Sequence, residues 1–172
     1  MNWLDRIEKN SPRERKHLII ALAIALVSVV IDQWTKWFFV LNYRKGESSE
    51  LIPGILNFTY VHNFGAAWSM LSGKVWLLLL FGIAAGVAIV WFFRKLAEGC
   101  VERYYALLLV ISGIIGNSFD RAFHGSVVDF IHVHYHDSWH YPVFNVADMA
   151  ICIGVGIYLI SGFCRKPVEK EK

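Results

Sequence analysis

The chain has 172 residues and a net charge of +3; 56% of its residues are hydrophobic, 15% aromatic and only 18% charged. That charged share lies below the roughly 25% of soluble globular domains. The apolar excess is gathered into blocks that are apolar all round, which excludes a soluble bundle of amphipathic helices. The slight positive balance falls at the ends of those blocks, so it reads as membrane topology rather than a nucleic-acid surface, and the length indicates a single domain, 1–172.

In chain order, Trp3, Leu4 and Ile7 stand at helical spacing among charges, the pattern of an interfacial helix. The first apolar block predicts a membrane span at 18–41, since a spanning helix needs about 20 apolar residues. Its basic lead is like that of a signal peptide, but Asp32-Gln33-Trp34-Thr35-Lys36 follows it instead of a small-residue cleavage site, so it is read as a retained span. Within it, Asp32 and Lys36 are one helical turn apart, a spacing that most often serves structure. An outer loop follows at 42–74. Pro53-Gly54 is a turn signal and residues 55–62 alternate imperfectly between apolar and polar, which predicts a short strand or hairpin.

The second block predicts a span at 75–93 and the third a span at 104–123 that ends in Gly116-Asn117-Ser118-Phe119-Asp120-Arg121. The spacing sets Asn117, Asp120 and Arg121 on one helix face, with the acid and the arginine as ion-pair partners for other helices. A second outer loop, 124–142, holds Asp129 and His132, His134 and His136. The fourth block predicts a span at 143–163, in which Asn145 and Asp148 share a face. On a strand the three histidines would share a face and invite a metal ion. The helical HExxH logic of zinc hydrolases is missing, and the stretch is read as an interfacial loop with exposed histidines and no metal.

Basic residues fix the orientation. They cluster at Arg6, Lys9, Arg13, Arg15 and Lys16, at Arg94, Lys95 and Arg103, and at Arg165, Lys166, Lys170 and Lys172. Both termini are therefore expected in the cytoplasm and both larger loops outside. The predicted fold is an all-α membrane protein with four transmembrane helices and a small β element in the first outer loop. Cys100, Cys152 and Cys164 all fall outside the outer loops, so no disulfide is expected.

Acids at membrane depth are costly and mark function by default. With a rise of about 1.5 Å per residue, Asp32 lies roughly 21 Å and Asp120 roughly 24 Å from the cytoplasmic side, and Asp148 roughly 22 Å from it in a core about 30 Å thick. Asp129 can fold back to join this layer. Four acids then compete for two cations, Lys36 and Arg121, which leaves carboxylates without a cationic partner. Two such carboxylates in one dry site raise each other's proton affinity until one stays protonated at neutral pH. That is the state in which an ionised acid activates water and its protonated partner polarises a carbonyl.

Five ordered motifs, DQWTK at 32–36, NFGAAW at 63–68, GNSFDR at 116–121, VVDF at 127–130 and FNVAD at 144–148, resemble those of bacterial lipoprotein signal peptidase, also called signal peptidase II. The resemblance implies a multi-pass aspartic endopeptidase of the bacterial inner membrane, with its site near the periplasmic face. Such an enzyme removes the signal peptide of lipobox-bearing prolipoproteins by cutting before the diacylglyceryl-modified Cys. The resemblance carries the catalytic pair onto Asp129 and Asp148, and supporting roles onto Asp32, Asn63, Asn117, Asp120, Arg121 and Asn145. The matched motifs also take in Lys36 and Gly65; Gly65 beside Ala66 and Ala67 admits a close substrate backbone. No cofactor is implied, membrane lipids and globomycin-like inhibitors are implied partners, and a monomer is expected. Trp68 stands where the family usually has Phe. A proton-coupled carrier is the rival reading, but it needs polar residues through the whole membrane depth, and the inner two-thirds of the blocks has only scattered small ones such as Ser28, Ser112 and Ser161.

Overall fold

A computed structural model describes residues 11–66, 68 and 70–164. The expected interfacial helix around Trp3 and the basic tail from Arg165 lie outside the described residues. Helix α1 (Pro12–Asn42) starts at a capping box: the Ser11 hydroxyl accepts from the Glu14 amide while the Glu14 carboxylate accepts from the Ser11 amide. A hairpin follows, β1 (Ser48–Ile52) and β2 (Leu56–Asn63), turning at Pro53-Gly54 as the sequence signals. Helix α2 (Val75–Trp91) breaks at Phe92 and resumes as the short α3 (Phe93–Ala97). Helix α4 (Val101–His124) ends at Gly125, whose left-handed φ of 68° suits a residue without Cβ. Strands β3 (Val127–Tyr135) and β4 (Trp139–His140) and helix α5 (Val146–Cys164) complete the chain.

Among the described residues three helices, α1, α4 and α5, are long and apolar enough to cross a membrane, and α2 is a shorter apolar helix. Large apolar side chains on α1 such as Leu26, Val30 and Trp37 are exposed, as a lipid-facing surface requires. Helix α4 is the most enclosed of the four and packs on α1, α2 and α5. Small residues let it approach α5: a Cβ at Gly154 would lie 2.6 Å from the Ala106 carbonyl oxygen, and one at Gly113 would strike the carbonyl of Ala147.

Three expectations change. The β element is not confined to the first outer loop: β1–β2–β3–β4 form one four-stranded antiparallel sheet that joins both loops. The helix expected from 143 begins at Val146, because Phe144 still bridges Ile131 on β3. Arg103 is not a loop residue but sits in the first turn of α4, 6% exposed, where it bonds Glu98 and Ser161. The sheet seats on the end of α1 through Phe39, whose ring stacks on Phe130 at 4.3 Å and meets Phe58 at 5.3 Å.

Candidate active site

The polar layer expected from depth arithmetic forms, and it divides into two parts. In the first, Lys36 lies 2.9 Å from Asp32 and 3.0 Å from Asp120, with all three side chains at most 3% exposed. Asp32 also accepts from the Ala147 amide at 2.8 Å, so it caps the start of α5, where the helix dipole favours an anion. Asp120 accepts from the Val128 amide at 3.1 Å and thereby holds β3. A Cβ at Gly116 would strike the Asp32 carboxylate, so only glycine there lets α1 and α4 close over the cluster. Gln33, which the sequence reading passed over, bridges Asp32, Asp120 and the Gly116 carbonyl. No signal in the sequence sets it apart from any other polar residue near a helix end.

In the second part, Asn145 is fully buried and holds both remaining acids. Its side-chain amide donates to Asp129 at 2.7 Å, its backbone amide donates to Asp148 at 3.2 Å, and its side-chain oxygen accepts from the Asp148 amide at 3.0 Å. Asn117 donates to the other oxygen of Asp148 at 2.7 Å and accepts from Lys36, which links the two parts. Asn63 donates to Asp129 at 2.9 Å, and its own oxygen is held by the Gly65 amide at 2.9 Å. Neither Asp129 nor Asp148 has an ion pair among the described residues.

Arg121 departs from its expected place. Among the described residues it forms no ion pair with an acid; its guanidinium donates to the carbonyls of Gly65 and Asn117. This follows from the fold, because Lys36 reaches both structural acids and leaves the arginine to fasten the loop that carries Gly65. A cavity of about 470 Å³ opens onto Asp129, Asp148, Asn63 and Arg121, with Tyr141 and Phe144 on its wall. Trp68 stands at its edge, its ring 6.0 Å from that of Tyr141.

Burial, and then the charge of Asp148, push the Asp129 carboxyl up to about 7, against the pull of its bonds to Asn63 and Asn145 and the charge of Lys36. The histidine stretch is in large part strand rather than loop: His132 and His134 lie on β3, His136 follows in the turn, and His134 pairs with His140 on β4. His140 Nδ1 is 3.2 Å from His132 Nε2. Among the described residues no group of three His, Cys, Asp or Glu side chains is placed to hold a metal ion.

A family model described as Signal peptidase (SPase) II matches residues 24–164. A lipoprotein signal peptidase of Halalkalibacterium halodurans is 40% identical over 155 residues, covering 90% of this chain and 99% of its own. A bacterial membrane enzyme solved in meso at 2.3 Å resolution superposes with a TM-score of 0.80 at 37% identity, over 89% of this chain and 93% of its own. A second, solved in meso at 1.9 Å, gives a TM-score of 0.74 at 35% identity, over 88% and 94% of the two chains.

Proposed function

The chain belongs to the signal peptidase II family, and from that membership we propose that it is an aspartic endopeptidase that removes the signal peptide from prolipoproteins by cutting before the lipid-modified Cys. The observation that carries this reading is that Asn145 donates its side-chain amide to Asp129 and its backbone amide to Asp148, and so fastens together two acids that have no ion pair among the described residues. An ion pair would lock a carboxylate in its charged form. Amide donors orient it and leave its proton exchangeable.

In the proposed reaction Asp129, whose carboxyl burial and the charge of Asp148 push up to about 7, holds the proton, and Asp148 acts as the base. Asp148 takes a proton from water as the hydroxyl adds to the scissile carbonyl carbon, and Asp129 gives its proton to the carbonyl oxygen. Collapse of the tetrahedral adduct breaks the C–N bond, the oxygen's proton returns to Asp129, and the proton on Asp148 passes to the leaving amine. Asn63 and Asn145 keep Asp129 aimed throughout. Lys36, Asp32 and Asp120 hold the scaffold, and Arg121 holds the Gly65 loop over the substrate.

In this reading α2 with α3 supplies a fourth span, both termini face the cytoplasm, and the sheet lies at the periplasmic face of the bacterial inner membrane. The cleavage site of an apolar signal helix emerges at that depth, its lipid stays in the bilayer, and globomycin-like peptides would occupy the same cavity. The enzyme is taken to act as a monomer. The test is direct: Asp129→Asn and Asp148→Asn proteins should insert and fold but leave a lipidated prolipoprotein uncut, and full processing by either would sink the assignment.

A further inference from the structure

We infer that His62 and Ser126 form a positioning couple that aims Asn63 at Asp129. The inference rests on the carboxylate-pair reading above and concerns what holds one member of that pair in register.

The need for such a couple lies in the β2–β3 ladder. Leu56, Asn57 and Phe58 pair with Val133, His132 and Ile131, but the register then shifts, and pairing resumes only at Val61, His62 and Asn63 against Asp129, Val128 and Val127. A shift of this kind re-aims every side chain beyond it. The three residues that end β2 therefore inherit no placement from the strand before them. Past Asn63 the ladder stops, and the chain enters the loop at 64–74.

His62 supplies the missing fixture. Its Nδ1 lies 2.8 Å from the Ser126 hydroxyl and its Nε2 2.7 Å from the Tyr60 hydroxyl, so one ring spans the shift. Ser126 is 1% exposed and sits between the left-handed Gly125 and the first residue of β3. The His62–Ser126 bond thus ties the end of β2 to the turn from which β3, and Asp129 three residues later, departs. Asn63 is the next residue after His62, and its amide is then held 2.9 Å from Asp129.

The groups around His62 keep it suited to a fixed role. Tyr60 and Phe64 flank its ring, with Phe64 stacked at 6.4 Å. Burial, with Lys45 and His124 on its positive side and Asp120 opposing them, holds its proton affinity below the usual imidazole range. Around Asp129 stand Asn63 from β2, Asn145, Asp148 from α5, Arg121 from α4 and Lys36 from α1. Among the described residues only Asn63 and Asn145 donate directly to the carboxylate. If Asn63 swings away, the ionised form of Asp129 loses one of two donors and its proton affinity rises.

Two replacements of the same ring separate the two bonds. Asparagine places an amide where Nδ1 stood and can still meet Ser126; glutamine places one where Nε2 stood and meets only Tyr60. In the full-length protein in detergent micelles, cleaving a lipidated prolipoprotein, His62→Asn and Tyr60→Phe should keep kcat within a factor of about three. His62→Gln and Ser126→Ala should lower kcat by about 10-fold to 100-fold with little change in KM, the scale of a small misplacement of a reacting group. They should also move the basic limb of the pH–rate profile upward by up to about one pH unit, in the same direction as Asn63→Ala. If Ser126→Ala does not fold, the asparagine–glutamine pair carries the comparison. Equal losses in His62→Asn and His62→Gln, or an unmoved basic limb, overturn the inference. Asp129→Asn in the same assay keeps the two claims apart: an inactive Asp129→Asn with an unmoved limb in His62→Gln refutes the couple alone, while an active Asp129→Asn refutes the carboxylate reading and the couple with it.

Discussion

Asp32 and Asp120 share the ammonium of Lys36, whereas the partners of Asp129 and Asp148 among the described residues are amides: Asn63 and Asn145 for the first, Asn117 and Asn145 for the second. The two pairs lie in one hydrogen-bonded layer, joined through Asn117, and Asp32, Asp120 and Asp129 are all at most 2% exposed. What divides them is the partner. A buried carboxylate bonded to an ammonium, as Asp32 and Asp120 are to Lys36, joins one helix to another. One held by amides alone is oriented without a bonded cation, which is the arrangement the proposed chemistry calls for.

The contrast yields opposite consequences for the same chemical change. Asp→Asn at 129 or 148 should reduce turnover by about 10⁴-fold, the upper range for a general acid or base, while thermal melting in detergent falls no lower than that of the parent. Lys36→Met should do the reverse in kind: it strands two buried charges and should destabilise the fold by about 3–5 kcal/mol, read as a large fall in melting temperature. A Lys36→Met protein of parental stability would break the comparison. Asp32→Asn should be milder, about 1.5–3 kcal/mol for a charge-assisted bond, with only a partial loss of activity.

Asn145→Ala tests the amide side. Freed of their common tether, the two carboxylates should lose about 100-fold in kcat, on the scale of a displaced reacting group. A loss confined to KM would instead make Asn145 a substrate ligand. The smallest effect is on stability against pH. Asp129 is raised from an ordinary value of 3.8 to about 7, so its neutral form is the one the fold favours. Its contribution is fully present below 3.8 and is lost as pH rises through about 7. Asp129→Asn, permanently neutral, should therefore melt a few degrees above the parent at pH 8, with the gain shrinking towards pH 5. Activity of the parent should fall on the basic side of neutrality for the same reason.

Much of the site was legible before any coordinates. Asp32 and Lys36 one turn apart, Asn117 and Asp120 near the end of an apolar block, and Asn145 three residues before Asp148 are local patterns on helices of known rise, so their common depth follows from counting. The strand nature of 127–135 was not legible, because its partner β2 is more than sixty residues away and the stretch carries no turn signal of its own. The same non-local pairing hides His62 and Ser126: nothing in either residue's neighbours announces a bond across 64 positions. Gln33 was missed because its three partners come from two helices. Arg121 is expected from its charge to pair with an acid of another helix, but its partners among the described residues are backbone carbonyls that no side-chain pattern encodes.

The sequence by itself determined that this chain is a membrane protein and which polar residues share one layer, since apolar run length and helical rise are local properties. Tertiary structure alone decided which acids receive the cation. Lys36 reaches Asp120 only because Gly116 lets α4 lie against α1, and Asp129 meets Asn63 and Asn145 only because β3 pairs with β2 and leads back to α5. Charge state is set by the nearest few ångströms, and those neighbours are assembled from segments far apart in the chain.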